Sequence, residues 1–388
     1  MINLIVEELQ TIMARRIAAL PPTLRPFTQE ATSLPRALLL TGARGVGKST
    51  FLLHHSKNRK LLYFSADNPL VMTLSLSEVV QAIFMHGYEG VIIDEVHFAR
   101  NWSLHLKSLY DDYPHHLFWV SDSSSRVLRS GTADLSRRFV HMKMPIMSFR
   151  EYLYLQTGQL YDRSSPFSEE NPLPVQPTST ILSLFSDYRK HGTRPFYSEG
   201  YFNERMLAIL DKTIHADVPF FVPSITDNNL RLMHAIVGTL SMASIPRLQV
   251  NSLCTDWNIG ARKLYDLLEV LEAVEVLSII RKEGDRKAKS VGDKLFFADP
   301  SYYEVLGGNI GNAREAFVAT LCRIDGFEVT STRDEKQGDF VITKERKRLT
   351  LEVGGKTKSR KGADFVIRDD LDYPSPGALP LWLLAMSY

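Results

Sequence analysis

At 388 residues the chain exceeds the length at which a single hydrophobic core stops growing, so two or three domains are expected. Its 44% hydrophobic and 23% charged content excludes the disordered and fibrous classes. The net charge of +2 neither points to nucleic acid nor excludes it, because clustering rather than the sum sets a surface field.

The N-terminal stretch places Leu4, Ile5, Leu9, Ile12 and Met13 at helical spacing with acids between them. This is unlike the basic start and unbroken apolar run of a signal peptide, and predicts a packed helix. From Arg36 onward, short apolar runs at 37–41, 61–65, 90–94, 117–121 and 139–143 alternate with helical stretches, the rhythm of a buried parallel sheet in an α/β fold. Residues 1–155 are therefore read as one α/β domain with an N-terminal helix. Residues 156–196 turn to Ser, Pro, Glu and Asn and predict a loop or linker. Residues 197–300 read as helices, with Leu230, Met233, Val237 and Leu240 on one face, followed by two strand-like runs at 276–281 and 294–298. That order suggests a winged helix. Residues 301–388 predict a small α/β unit with a helix at 312–323 and strands at 338–343, 349–353, 364–367 and 379–386. The apolar run 378–386 is about half of what a bilayer-spanning helix needs, so no membrane partner is expected. Two cysteines, Cys254 and Cys322, lack zinc-site pairing and disulfide density, which fits a reducing cytoplasm.

Residues 42–49 read Gly-Ala-Arg-Gly-Val-Gly-Lys-Ser, the G-x-x-x-x-G-K-[ST] phosphate-loop pattern, directly after an apolar strand and before a helical run. Each residue type has a chemical reason. Gly42, Gly45 and Gly47 permit the backbone angles that turn successive N–H groups, those of Ala43, Arg44 and Val46 among them, toward phosphate oxygens. Lys48 sets a compact positive charge against the β and γ phosphates, the Ser49 hydroxyl can ligate Mg²⁺, and Thr50 assists from the positive end of the helix. ATP and Mg²⁺ are thus the expected cofactors.

About 45 residues later GVIIDEVH reads as a buried strand ending in two acids at its carboxyl edge, where α/β sheets place ligands. Asp94 is expected to hold Mg²⁺ and Glu95 to polarise the attacking water, since attack on a γ-phosphoryl group needs positioning and charge compensation. The next strand runs into Asp122, Ser123, Ser124 and Ser125, of which Ser123 is the candidate for sensing the γ-phosphate. Arg137 and Arg138 precede the fifth strand, where an arginine can act as a finger toward a neighbouring subunit of a homo-oligomer.

Together these residues resemble the AAA+ branch of P-loop ATPases, and more narrowly the prokaryotic family in which the ATPase core is followed by domain of unknown function 4143. The resemblance rests on LPRALLLTGARGVGKST, GVIIDEVHFARNWSLHLKSLYDD, FWVSDSSSRVL with LSRRF behind it, MSFREYL, KLFFADP and TLEVGGKTK. It covers nearly the whole chain outside residues 155–195. It implies a core sheet ordered 5-1-4-3-2, Mg²⁺-dependent ATPase activity, and a C-terminal half with a winged helix and a restriction-nuclease-like α/β fold. On it, Lys48, Ser49, Asp94 and Glu95 take the roles argued above, and Arg138 matches the arginine after the fourth-strand helix. Ser136 and Arg137 stand where a glycine often precedes that arginine, which keeps Arg137 open beside Arg138.

In the C-terminal half, residues 258–271 predict a helix with Leu264, Leu267, Leu268 and Leu271 inward and with Arg262 and Lys263 free to meet a phosphate backbone. The hairpin that follows carries Arg281, Lys282, Arg286, Lys287, Lys289 and Lys294 and suits a wing touching phosphates. Residues 258–294 and the basic run 344–361 are therefore the candidate DNA contacts, with a protein client as the alternative partner. Glu315, Asp339, Glu352 and Lys356 resemble the acids and lysine of a restriction-type nuclease. Lys356, however, lies four positions after Glu352 rather than two, which would set the pair on one strand face, and a catalytically degenerate fold is expected. The primary reading is an ATPase that moves or remodels a DNA or protein partner. An ATP-gated binding module and an ATP-regulated nuclease are the alternatives, and a small-molecule kinase lacks the arginine-rich lid it needs.

Overall fold

A computed structural model describes residues 2–123, 135–168, 172–247, 250–285 and 294–388. The chain divides into two compact units, Met1–Ile146 and Met147–Tyr388. The first holds a five-stranded sheet of β1 (Ala37–Thr41), β2 (Leu61–Ser65), β3 (Gly90–Asp94), β4 (Leu117–Asp122) and β5 (Val140–Lys143). All pairings are parallel and the order is β2-β3-β4-β1-β5, the expected 5-1-4-3-2 read from the other edge. β1 and β3 are buried throughout, which is why their sequences run apolar without alternation. The register pairs Thr41 with Asp122 and Ser65 with Asp94, so the carboxyl ends of four strands form one edge.

Helices α1 (Ile2–Ala18), α2 (Pro26–Glu30), α3 (Lys48–Ser56), α4 (Leu76–Met85) and α5 (Trp102–Asp112) flank this sheet. A capping box between Ser75 and Glu78 starts α4, satisfying two backbone donors that a helix start leaves open. On α1 the buried residues are Val6, Leu9 and Met13, whereas Leu4 is exposed. The buried stripe is therefore turned by part of a helical step from the one expected, because Val6 completes a 6, 9, 13 face that excludes Leu4.

The second unit begins with α6 (Phe149–Thr157), α7 (Ser179–His191), α8 (Phe202–Lys212), α9 (Val218–Phe221), α10 (Asp227–Met242), α11 (Val250–Asp256) and α12 (Ala261–Ala273). The antiparallel hairpin of β6 (Leu277–Ile280) and β7 (Lys294–Phe297) follows, then α13 (Ser301–Val305) and α14 (Ile310–Ile324). A mixed sheet closes the unit, with β8 (Glu328–Ser331), β9 (Phe340–Lys344), β10 (Lys347–Gly354), β11 (Phe365–Arg368) and β12 (Ala378–Pro380) in the order β12-β11-β10-β9-β8. One hydrophobic cluster joins Phe149 and Tyr188 to Leu264, Phe297, Phe317 and Trp382.

Three expectations need correction. Residues 179–191, read as part of a linker, form α7, capped by Thr178 and burying Ile181, Phe185 and Tyr188. The Pro- and Ser-rich flanks masked a short amphipathic stripe. Residues 379–386, read as a strand, leave the sheet after Pro380 and form α15 (Leu381–Leu384), a fully apolar run in which periodicity cannot separate strand from helix. β8 was not expected, since Glu328 and Thr330 interrupt its apolar pattern.

Phe185 is 5% exposed and packs edge-on against Phe149 with ring centroids 5.1 Å apart. Phe185→Ala is expected to destabilise the second unit by about 3 kcal/mol, read as a lower urea midpoint, whereas a linker residue would leave it unmoved.

Candidate functional site

The loop between β1 and α3 is shaped by its glycines at two positions. Gly47 caps α3 with φ of 105°, a left-handed angle that side chains disfavour. At Gly42 an added Cβ would lie 2.3 Å from the Met144 carbonyl oxygen, so the loop passes flush against the chain leaving β5. Lys48 opens α3 and is buried. Its Nζ donates to the carbonyls of Gly42 at 2.6 Å and Ala43 at 3.2 Å, which sets the ammonium over the loop. Burial pushes the Lys48 pKa down, and the carboxylates of Glu95, Asp94 and Asp122 pull against that.

Asp94 ends β3 and is 5% exposed. Its carboxylate accepts from Ser49 Oγ at 2.5 Å, Ser121 Oγ at 2.5 Å, Tyr63 Oη at 2.9 Å and the Glu95 N–H at 3.1 Å. The loop's hydroxyl and the strand's carboxylate are thus in direct contact, and both are the hard oxygen donors that Mg²⁺ takes. With the glycine loop beside them, these residues fit a magnesium nucleoside triphosphate. Tyr63 in turn accepts from Arg16 at 2.8 Å, and burial followed by the Asp94 charge drives its hydroxyl pKa far up.

Glu95 sits one step further, at φ of 50°, a left-handed angle that costs a non-glycine residue about 1 kcal/mol or more. Arg44 grips it with two bonds, Nη1 to Oε1 at 2.9 Å and Nη2 to Oε2 at 3.3 Å. Ser123 donates to its Oε2 at 3.2 Å. Burial raises the Glu95 pKa, the Arg44 guanidinium opposes that, and the Asp94 charge adds to it. His97, on the short turn Val96–Phe98, has its Nδ1 2.8 Å from Asp122 Oδ2 and 3.8 Å from Glu95 Oε2.

The structure therefore brings Gly42, Lys48, Ser49, Asp94, Glu95 and Ser123 into one region, with Arg44 joining it from the loop. Val46 is fully buried beneath the loop, and Thr50 lies in the first turn of α3. Ser124 and Ser125 lie outside the described residues. Arg138 is held elsewhere, by a two-pronged bond to Asp111 of α5 at 2.8 and 2.7 Å.

In the second unit the recognition-helix candidate begins at Ala261, three residues later than expected, because Asn258 adopts a left-handed φ of 49° and Gly260 caps the helix. Lys294 is not a surface wing residue. It is 6% exposed, and its Nζ lies 2.6 Å from Glu315 Oε2 and 3.0 Å from Asp339 Oδ1. Its place at the first position of β7, facing α14, turns it inward. Glu352 is fully buried and paired at 2.8 Å with both Lys358 and Lys361, whereas Lys356, the lysine expected beside it, is exposed. Arg286, Lys287 and Lys289 lie outside the described residues.

Sequence reasoning missed Arg25, Tyr63, Ser121 and His97, and passed over Asp122 in favour of Ser123. Arg25 is 4% exposed and donates to the carbonyls of Val46 at 2.7 Å, Pro145 at 3.1 Å and Ile146 at 3.4 Å, tying the phosphate loop to the chain after β5. Nothing in its neighbourhood marks it, since PTLRPF reads as loop. Asp122 and His97 carried a signal: a polar residue at the carboxyl end of a buried strand, and a histidine two positions beyond an acidic pair.

Residues 34–153 match a protein family described as an AAA domain (AAA_14). Over these residues, and not over the whole chain, the protein is similar to an AAA domain. The uncharacterized protein MJ1637 of Methanocaldococcus jannaschii is 28% identical over 369 residues, spanning 84% of this chain and 76% of that protein. Among solved structures, the Walker-type ATPase PABY2304 of Pyrococcus abyssi is 15% identical, covering 75% of this chain and 99% of that one at a TM-score of 0.45. A STAND protein with a tetratricopeptide repeat sensor, PH0952 of Pyrococcus horikoshii, is 9% identical over 74% of this chain and 42% of its own, with a TM-score of 0.27. Among the described residues of the AAA domain and beyond it, no helix is long and apolar enough to cross a membrane.

Arg25→Met removes a cationic donor from buried carbonyls and is expected to destabilise the first unit by about 2 kcal/mol. Chemical denaturation of the two proteins measures it.

Proposed function

We propose that the chain is a Mg²⁺-dependent ATP hydrolase whose cycle moves or remodels a bound partner. The Ser49–Asp94 contact carries this reading, because it joins the phosphate loop to the acidic pair at the sheet edge. The loop N–H groups and Lys48 bind the triphosphate, and Ser49 and Asp94 hold Mg²⁺, which when bound neutralises charge on the β and γ oxygens. Glu95 orients and polarises the attacking water, and Ser123 positions it. The bidentate Arg44–Glu95 bond supports a further step: phosphate oxygens compete for the Arg44 guanidinium and release Glu95 toward the water. Arg138, and Arg137 beside it, act as finger candidates toward the nucleotide of a neighbouring subunit in a homo-oligomer, with Asp111 holding Arg138 until then.

Steady-state phosphate release and titration calorimetry test the reading together. Glu95→Gln should lose at least about a hundredfold in rate while retaining the heat of ATP binding, and Lys48→Ala should lose that heat. Equal background rates for wild type and Glu95→Gln would leave an ATP-gated binding module, the reading that the Arg44 lock on Glu95 also supports.

For the partner, the charge arrangement favours protein over DNA. In the run 344–361, Lys344 lies 3.8 Å from Asp325, Arg348 makes two bonds to Glu283 at 2.8 and 3.0 Å, and Lys358 and Lys361 neutralise Glu352. On α12, exposed Arg262 and Lys263 share their surface with Asp266 and Glu269. A winged-helix reading of α10 to β7 remains part of the proposal as a protein-docking module. The nuclease alternative is weakened in the same way, since the lysines balance all three acids, Glu315, Asp339 and Glu352, and this supports a degenerate nuclease-like fold. In a salt titration of DNA binding, with and without a nonhydrolysable ATP analogue, the slope should not exceed that of about two phosphate contacts. A steeper slope, abolished by Arg262→Ala with Lys263→Ala, would establish DNA as the partner.

A further inference from the structure

Away from the AAA domain, three metal-ligating side chains converge in the second unit. Asp211 lies in the last turn of α8. His215 lies four residues on, in a π-helical turn, Thr213–Asp217, that continues α8, and such turns recur at functional sites because the extra residue re-aims side chains. His234 comes from α10. The two Nε2 atoms are 3.0 Å apart, and Asp211 Oδ1 lies 3.6 Å from that of His215 and 3.8 Å from that of His234. The in-plane point equidistant from three atoms so spaced is about 2.0 Å from each, and an ion about 0.5 Å out of that plane, as a fourth ligand requires, would stand about 2.1 Å from each, within the range of Zn²⁺ to imidazole nitrogen and carboxylate oxygen.

From this geometry we propose that Asp211, His215 and His234 form a three-ligand site for Zn²⁺ or a similar late first-row divalent ion, with water in the fourth position. Two imidazoles and one carboxylate select such an ion over Mg²⁺ and Ca²⁺, which take oxygen donors. The neighbours Ile214 and Met233 are both fully buried, so each histidine projects from a backbone position anchored in the core. The ligands themselves are solvent-facing, with side-chain exposures of 67%, 47% and 37% for Asp211, His215 and His234, which leaves the fourth position to water. A hydrogen bond between the imidazoles accounts for the 3.0 Å separation and an i,i+4 pair for the Asp211–His215 contact; the observation that carries the site is that His234, from a different helix, meets the same carboxylate oxygen at 3.8 Å. The bound ion would clamp the turn after α8 onto α10.

The test uses the full chain stripped with a chelator, titrated with Zn²⁺ against a chromophoric competitor in excess Mg²⁺, and with Co²⁺ followed by visible absorption. Wild type should take up one Zn²⁺ equivalent with micromolar or tighter affinity, give the visible bands of four-coordinate Co²⁺, and melt at a higher temperature with Zn²⁺ present. His215→Ala and His234→Ala should each lose that equivalent. Asp211→Asn, exposed and isosteric, should keep the fold, as checked by circular dichroism, and bind at least about tenfold more weakly. Wild type that takes up no Zn²⁺ at micromolar concentrations would overturn the proposal, as would an unchanged equivalent in His234→Ala and Asp211→Asn, which would place the ion elsewhere.

Discussion

The Asp94 carboxylate organises the first unit. A carboxylate at this depth is tolerated only when its lone pairs are satisfied, and four donors do so: Ser49 from α3, Tyr63 from β2, Ser121 from β4 and the N–H of Glu95. Each comes from a different segment, so the acid constrains at once the height of the phosphate loop and the register of three parallel strands. Tyr63 passes the constraint to Arg16 on α1. A slip of one residue in any of these strands would turn its donor to the opposite face and strand a buried charge. The chemistry at the sheet edge and the stability of the sheet are therefore aspects of one network.

The second unit meets the same constraint with ion pairs in place of neutral donors. Lys294, Glu315 and Asp339 neutralise one another between the hairpin, α14 and the start of β9, and Glu352 is met by Lys358 and Lys361. Burial lowers the Lys294 pKa, and the two carboxylates outweigh it and hold the ammonium above its usual range. Removing one member of such a set leaves its partner charged and buried, which is more damaging than never having built the pair. Lys294 therefore belongs to the packing of the unit, and Lys358 and Lys361, though 35% and 44% exposed, are committed to Glu352, so the density of lysines in the sequence overstates the positive surface offered to a phosphate backbone.

What was legible in the sequence follows from what is local. The parallel sheet could be read because buried strands are continuous apolar runs, and the phosphate loop because Gly42 to Ser49 is a contiguous pattern with a mechanism at each position, whereas the strand order was implied only by the family resemblance. The hairpin β6–β7 and the inward leucines of α12 were legible by period. Arg25, Tyr63 and Lys294 were not, since each acts on groups more than 20 positions away and looks locally like any surface or strand residue. Lys356 was chosen by nearness along the chain, but Glu352 faces a turn that brings Lys358 and Lys361 to it instead. Residues 179–191 were misjudged from composition, when three apolar residues at helical spacing were enough to dock a helix.

Local rules are broken most densely beside the acidic pair. Glu95 and Asn101 both take a left-handed φ of 50°, and they bracket the turn Val96–Phe98 together with the two residues that follow it. Val96 is fully buried and His97 is fixed to Asp122 through both its backbone N–H at 3.1 Å and its ring at 2.8 Å. The segment is thus pinned immediately after Glu95, and the strain falls on Glu95 itself. The Glu95 carboxylate beyond this strained backbone is held by the two bonds from Arg44 and by the Ser123 hydroxyl. Backbone strain persists only where the surrounding structure over-determines it, and here the over-determination comes from Asp122 and Val96.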